Sequence, residues 1–205
     1  MGKSKKGSIK KHLAQDPVFA PIVKGVKLPD LELTSDVYHR LLKTIVFQQL
    51  SGKAATTIYE RFLALFPDGY PYPDHLLQLS IEELRSVGLS RSKAQYVQNV
   101  AQHFIDHDLV RQDWSKLRDD EIRRELTSIK GVGNWTAEMI LMFALGRKDI
   151  LPLGDHAIQQ SMKQLYRLPQ TGRSLQREME RIAQKWRPYR AVACRYLWHW
   201  RDTVL

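Results

Sequence analysis

The sequence predicts an all-α protein, and three observations support this fold class. Hydrophobic residues recur at steps of three and four from Ser35 onward, which is the spacing of one buried helix face. No stretch alternates with period two for long enough to indicate a sheet. Capping residues, prolines and glycines separate the periodic segments at intervals typical of helices. At 205 residues the chain is one large domain or two small lobes.

The first half of the chain begins with a basic segment. Residues 1–12 are rich in Lys, Gly and Ser, and we expect a flexible tail. Apolar residues over 37–46 predict a helix, and a second helix follows the break at Ser51 and Gly52. Three prolines and a glycine over 67–73 predict a loop.

Later elements follow from capping patterns and periodicity. Ser80 and Glu83 match a capping box that opens a short helix ending near Gly88. A longer helix is predicted over 91–107, with its apolar residues on one side. Further helices are predicted over 119–129, 134–145, 156–166, 174–186 and 189–201.

Charge and cysteine usage limit the function classes. Thirty-two Lys and Arg against 22 acids give a formal charge of +10, which favours a polyanionic partner, nucleic acid first. With Cys194 as its single cysteine, the sequence offers no disulfide framework, multi-thiolate zinc site or four-cysteine iron–sulfur cluster. No apolar run approaches the ~20 residues of a membrane span, and the N-terminus lacks the apolar core of a signal peptide. Together with the single cysteine, these features lead us to expect an intracellular protein that does not enter a membrane.

The segment 126–137 predicts a phosphate-binding turn between two helices. Gly131 and Gly133 flank Val132, and glycine lets a backbone turn tightly and approach a ligand. The amides of these three residues precede a helix N-terminus, where unpaired donors and the positive end of the dipole attract phosphate. Val132 would pack between the helices, and Lys130 would add charge. By itself the string is equally consistent with a plain turn between core helices.

This passage resembles the helix–hairpin–helix element of the DNA base-excision glycosylases, the HhH-GPD superfamily. In that family a Gly/Pro-rich loop and an aspartate follow the hairpin by some twenty residues. Here the chain continues Ile-Leu-Pro-Leu-Gly-Asp-His-Ala-Ile over 150–158, which places Asp155 at that position. The resemblance extends from about Ser35 to the C-terminus.

The resemblance implies a two-lobed helical fold. The central lobe would comprise 36–146, with the helix–hairpin–helix at about 121–145. The second lobe would comprise 13–35 and 147–205 and would carry the aspartate. The resemblance also implies a structural Na⁺ or K⁺ at the hairpin, and no other cofactor. Its ligands would be the backbone carbonyls of Thr127, Ile129 and Val132.

The residue two positions after the second hairpin glycine separates mechanisms within the family. Members that also cleave the strand carry a lysine there, whose amine forms a Schiff base. This chain has Trp135, and an indole cannot form an imine. Tryptophan at this position resembles the 3-methyladenine DNA glycosylase II group, because an electron-rich ring attracts a cationic methylated base. The same resemblance places Trp198 and His156 in the base pocket, although both tryptophans are also consistent with core packing.

Asp155 is the candidate catalytic residue. By resemblance its carboxylate would face C1′ of the extruded nucleotide, stabilise developing positive charge and position the attacking water. Its place before a helix also predicts an N-cap, and the two roles are compatible.

Two further turns are candidate DNA contacts. An enzyme that extrudes a base must fill the gap, and the family does so from a turn between two early helices. We assign Gln49, with Leu50 beside it, as this wedge. Ser90, Arg91 and Lys93 are predicted to face phosphates.

These features predict a monofunctional glycosylase that excises alkylated bases from damaged double-stranded DNA, acting as a monomer. Two alternatives stay open: a non-catalytic helix–hairpin–helix DNA-binding module, and a bifunctional glycosylase/AP lyase.

Overall fold

The computed structural model describes residues 3–50 and 52–204. Within these ranges the chain forms helices and contains no strand, so the all-α prediction is confirmed. The α-helices, in chain order, are α1 (Lys3–Leu13), α2 (Ala20–Gly25), α3 (Val37–Phe47), α4 (Gly52–Leu63), α5 (Pro73–Gln78), α6 (Ile81–Ser86), α7 (Arg91–Asp106), α8 (Asp119–Thr127), α9 (Asn134–Phe143), α10 (His156–Tyr166), α11 (Gly172–Ala183) and α12 (Arg190–Val204).

The chain divides into two compact units. One, called the central unit below, runs from Glu32 to Leu145 and contains α3 to α9. The other, the terminal unit, combines the N-terminal segment up to Leu31 with the C-terminal segment from Gly146. It contains α1, α2 and α10 to α12.

The prediction of a flexible tail over residues 1–12 is wrong where the structure describes that segment. Lys3–Leu13 form α1, in which Ile9 and Leu13 are 5% and 0% exposed. These two apolar residues are four apart, so they lie on one helix face and anchor it against the unit. By composition, the lysines indicate flexibility. Those in the last turn of α1 instead favour the helix, because cations interact well with the negative end of its dipole. Met1 and Gly2 lie outside the described residues.

The core of the central unit is built on α3 and α7. The apolar face of α3 is fully buried and packs against α4, α7 and α9. Six residues form this face: Val37, Tyr38, Leu41, Leu42, Ile45 and Val46. α7 buries its own stripe, including Phe104, which contacts the ring of Tyr38. The helices predicted over 37–46 and 91–107 are thus confirmed to within one residue.

The capping box is present as predicted. Ser80 Oγ accepts the amide of Glu83 at 3.2 Å, and Glu83 Oε2 accepts the amide of Ser80 at 2.7 Å. Two helices, α2 and α5, were not predicted; each is six residues long and contains a proline in the first turn. Such short helices leave too few apolar positions for periodicity to reveal them.

In the terminal unit, α10 packs against α11 and α12. The buried rings of Phe19, Trp186 and Tyr196, the last on α12, form an aromatic cluster in the core of this unit. Asp149 binds Arg190 at the start of α12, with Arg190 Nε 2.6 Å from Asp149 Oδ1. This ion pair ties the segment that leads into α10 to the helix that packs beside it.

Candidate active site and nucleic-acid interface

The turn between α8 and α9 has the tight geometry that its glycines predict. Gly131 has a φ of +106°, and a Cβ there would lie 2.3 Å from the ring of Tyr96. Both the backbone conformation and the close contact therefore require glycine. Val132 is 4% exposed, as expected for a residue packed between the two helices.

The second glycine of the turn has a different role. Gly133 is the N-cap of α9 with a φ of −91°, and a Cβ would meet no atom within 4 Å. No neighbouring atom of the described residues therefore requires glycine at this position, and the space beside the N-terminus of α9 is open. The amide of Val132 donates to Ile129 O at 3.0 Å and is thus used within the turn. Lys130 is exposed beside it.

α7 supports this turn from one face. Tyr96 lies against Gly131, and one turn further along Asn99 Nδ2 donates to Lys130 O at 2.9 Å. Residues three apart lie on the same side of a helix, so this side of α7 contacts two consecutive residues of the turn, Lys130 and Gly131.

The start of α7 contains the second set of predicted phosphate contacts. Ser90 is its N-cap and accepts the amide of Lys93 at 3.2 Å, and Arg91 is exposed. The Lys93 ammonium instead donates to Val46 O and Gln48 O, each at 2.7 Å. Its partial burial lowers the pKa of Lys93 from the usual value. The predicted phosphate contact of Lys93 is therefore corrected: its charge satisfies the last carbonyls of α3.

The turn after α3 is held in an uncommon conformation. Gln49 has a φ of +56°, in the left-handed region, and its side chain and that of Leu50 are exposed. For a residue other than glycine this backbone costs about 1–3 kcal/mol. The Lys93 bonds offset this cost, as does a 3.0 Å bond from Gln48 Nε2 to Thr136 Oγ1 on α9. The predicted wedge residues thus lie on a projecting, well-supported turn.

Trp135 lies in the first turn of α9, directly after the hairpin. Its side chain is 36% exposed, which is high for a tryptophan. The core-packing interpretation therefore does not account for Trp135.

In the terminal unit, Asp155 is the N-cap of α10 and is 8% exposed. Its Oδ1 accepts the amide of Ile158 at 2.8 Å and the indole N–H of Trp198 at 3.1 Å. The predicted capping role is confirmed. The structure also brings together two predicted site residues, because the half-buried Trp198 on α12 directly contacts the candidate carboxylate. His156 follows as an exposed first residue of α10.

The predicted cation ligands are backbone carbonyl oxygens, which suit a hard monovalent ion such as Na⁺ or K⁺. Thr127 is the last residue of α8, so its carbonyl lies beyond the helical hydrogen-bond ladder. Ile129 O accepts one hydrogen bond, from Val132, which leaves its second lone pair. Neutral carbonyl oxygens, Val132 O included, are the ligands that hard cations take in proteins.

These local geometries agree with the comparison to known families. Residues 42–188 match the HhH-GPD superfamily of base excision DNA repair proteins. This chain belongs to the HhH-GPD superfamily. The matched range contains the hairpin, the wedge turn and Asp155, and it ends before Trp198.

Similar HhH-GPD proteins include bacterial and yeast glycosylases. The chain is 32% identical over 174 residues to a putative DNA-3-methyladenine glycosylase, YfjP, of Bacillus subtilis, covering 82% of this chain and 60% of that protein. It is 33% identical over 165 residues to DNA-3-methyladenine glycosylase 1 of Schizosaccharomyces pombe, covering 78% of this chain and 71% of the yeast protein.

A solved structure shows the same fold. The S. pombe 3-methyladenine DNA glycosylase Mag1, in complex with abasic DNA, superposes with a TM-score of 0.81 at 30% identity. The superposition covers 93% of this chain and 95% of Mag1.

The residues that support the site of this HhH-GPD chain were not predicted from the sequence. Lys93 was assigned to phosphate, and Asn99 and Thr136 were not singled out, because their partners are 31 to 88 residues away. The only sequence signal for these contacts is that each residue is polar at a helix position that becomes half-buried or buried, where a hydrogen-bond partner is expected. No helix in the described ranges has the length and apolar character needed to span a membrane.

Proposed function

We propose that this chain is a monofunctional DNA glycosylase of the 3-methyladenine DNA glycosylase II group. It removes alkylated bases, of the 3-methyladenine and 7-methylguanine kind, from duplex DNA by hydrolysing the N-glycosidic bond. The observation that carries this proposal is the buried Asp155 carboxylate, which Ile158 and Trp198 hold in one orientation. Family membership and the names of the relatives support it.

Asp155 acts in this proposal through fixed charge. As the bond to the base breaks, positive charge develops at the sugar, and an already oriented carboxylate stabilises it without reorganising. The same carboxylate positions and deprotonates the attacking water. A base methylated on a ring nitrogen is cationic and departs readily, so the proposed reaction needs no general acid.

Trp135 selects the base in this proposal. Its exposed indole offers a face for stacking, which is worth about 1–3 kcal/mol per base, and a cationic base gains further from the ring electrons. Because an indole cannot form a Schiff base, the strand is left intact. Trp198 and His156 complete the base-binding residues.

The central unit binds the damaged duplex in this proposal. The first amides of α9 and Lys130 bind one phosphate, Ser90 and Arg91 bind another, and Gln49 with Leu50 fills the gap left by the extruded base. A bound Na⁺ or K⁺ at Thr127, Ile129 and Val132 would supply positive charge beside the hairpin. The protein acts as an intracellular, DNA-associated monomer.

The test is Asp155→Asn assayed on duplex DNA containing 7-methylguanine or 3-methyladenine. Asparagine retains a capping oxygen but not the charge, so we expect loss of base release with DNA binding and folding retained. Unchanged excision by Asp155→Asn would remove the assigned catalytic role. A wild-type protein that binds DNA and releases no base would favour the non-catalytic module, and a borohydride-trapped covalent adduct would favour the lyase.

A further inference from the structure

Two histidines and a glutamate meet where the C-terminal end of α7 lies beside α8 in the central unit. His103 is in the last turn of α7, His107 is the C-cap residue that follows this helix, and Glu125 is on α8. His103 Nε2 lies 2.7 Å from Glu125 Oε1, and the two imidazole rings stack at 4.1 Å between centroids with an interplanar angle of 19°. One ligand atom from each of the three residues lies within 4.8 Å of the others.

The donor set matches a transition-metal site. Histidines four apart lie on one helix face, and a carboxylate from a neighbouring helix adds the negative charge that a dication needs. Zinc binds imidazole nitrogen and carboxylate oxygen at about 2.0–2.2 Å, which places ligand atoms about 3.3 Å apart. Metal binding would draw the three ligand atoms, now within 4.8 Å of one another, to that spacing by rotation of the side chains.

The exposure of the cluster also suits a metal. The side chains of His103 and Glu125 are 15% and 33% exposed, and His107 is exposed. Three protein ligands at such a site leave a fourth, solvent-facing position for water. The imidazoles favour zinc-like ions over Mg²⁺ or Ca²⁺, which prefer oxygen ligands.

We infer that His103, His107 and Glu125 bind a divalent transition metal, Zn²⁺ first, which clamps α7 to α8. A hydrogen bond between His103 and Glu125 alone does not explain why His107 stacks on His103 with its ring nitrogen near the same carboxylate. The metal engages all three side chains. This inference does not depend on the proposed function.

The clamp continues an existing line of contacts. Tyr96 and Asn99 on α7 support the hairpin, and His103 lies one turn beyond Asn99 and contacts Glu125, which is on the helix that leads into the hairpin. A metal here therefore secures α8 in its last turn, next to the start of the hairpin, and the hairpin gains a third support from the same side of α7.

The test uses the untagged full chain, freed of metal and titrated with ZnCl₂ by calorimetry. We expect one equivalent to bind, and Tm to rise by about 5 °C at a hundredfold excess over the dissociation constant. Co²⁺ should give the visible absorption of a low-symmetry N,O site. His107→Ala, an exposed change that does not threaten folding, should weaken Zn²⁺ binding at least about tenfold, and Glu125→Gln should do the same.

His75→Ala is the matched control, because His75 is an exposed histidine of the same unit outside the cluster. It should retain the wild-type affinity and Tm shift. Equal Zn²⁺ affinity in the wild type and His107→Ala, or no Tm rise with Zn²⁺ in the wild type, would overturn the inference and leave only a hydrogen bond between His103 and Glu125.

Discussion

The indole nitrogen of Trp198 lies 3.1 Å from Oδ1 of Asp155 and donates a hydrogen bond to it. The same oxygen accepts the amide of Ile158, so one carboxylate oxygen is fixed by a helix N-terminus and by a side chain of α12. Trp198 is thereby a positioning residue as well as a candidate for the base pocket. Its ring would contribute to base binding and its N–H to the orientation of the carboxylate, and the two contributions can be tested separately.

Trp198→Phe tests the N–H while keeping an aromatic ring. A hydrogen bond to a charged group contributes about 1.5–3 kcal/mol, so the single-turnover rate of base release should fall roughly ten- to a hundredfold. DNA affinity should be unchanged. Trp200→Phe, on the same helix, is the control and should retain the wild-type rate. If Trp198→Phe excises as fast as the wild type, the hydrogen bond does not orient the carboxylate for the reaction.

Lys93→Met tests the support of the wedge turn. Without the ammonium, Val46 O and Gln48 O lose their donor, and the left-handed conformation of Gln49 is no longer offset. We expect a loss of about 1–2 kcal/mol in the free energy of unfolding, seen as a Tm lowered by a few degrees, and slower base release.

Arg91→Met on the same helix is the matched comparison, because the exposed Arg91 side chain is proposed to bind phosphate, whereas Lys93 binds backbone carbonyls. Arg91→Met should leave Tm unchanged, weaken DNA binding and reduce the slope of log K against log salt by about 1. The opposite pattern, a stable Lys93→Met with a reduced salt slope, would restore the phosphate assignment of Lys93.

The two hairpin glycines should respond differently to alanine. Gly131→Ala places a Cβ 2.3 Å from the Tyr96 ring at a φ of +106°, so we expect a destabilisation of about 2 kcal/mol or more in chemical denaturation. Gly133→Ala meets no protein atom and should keep the wild-type stability while weakening DNA binding. Equal stability of the two variants would contradict the geometry of the turn.

Trp135→Ala tests base selection. Removing the exposed indole should lower the rate for cationic 7-methylguanine more than the rate for a neutral base such as hypoxanthine, because only the cation gains from the ring electrons. The measurement is the ratio of the two release rates. Trp135→Phe, with a weaker ring, should give an intermediate ratio; a ratio unchanged in both variants would show that the indole does not select for charge.

The sequence predicted those parts of the fold in which local signals agree. The six apolar positions of α3 recur with helical spacing, and Ser80 with Glu83 forms a complete local cap. The prediction for the N-terminal segment was wrong because two signals conflict there. The charged composition indicates a flexible tail, whereas the Ile9–Leu13 pair indicates a helix, and burial of this pair against the rest of the unit stabilises the helix.

Local patterns predicted only those parts of the candidate site whose residues lie near one another in sequence, and the family resemblance added Trp198. The hairpin, and Asp155 as a cap, follow from short spacings. The bond between Trp198 and Asp155 joins residues 43 apart, and Lys93 reaches carbonyls 45 and 47 residues away. Such contacts depend on how helices pack, which no local pattern encodes.

α7 determines how far apart the turn after α3 and the hairpin between α8 and α9 are, the two loops proposed to contact DNA. Lys93 holds one loop and Asn99 holds the other, and at a rise of 1.5 Å per residue their Cα atoms are about 9 Å apart along the helix. Inserting or deleting a single residue between them would rotate one loop by about 100° relative to the other. Substitutions of exposed side chains such as Trp135 can therefore change lesion preference without disturbing the scaffold. The length of α7, in contrast, is constrained.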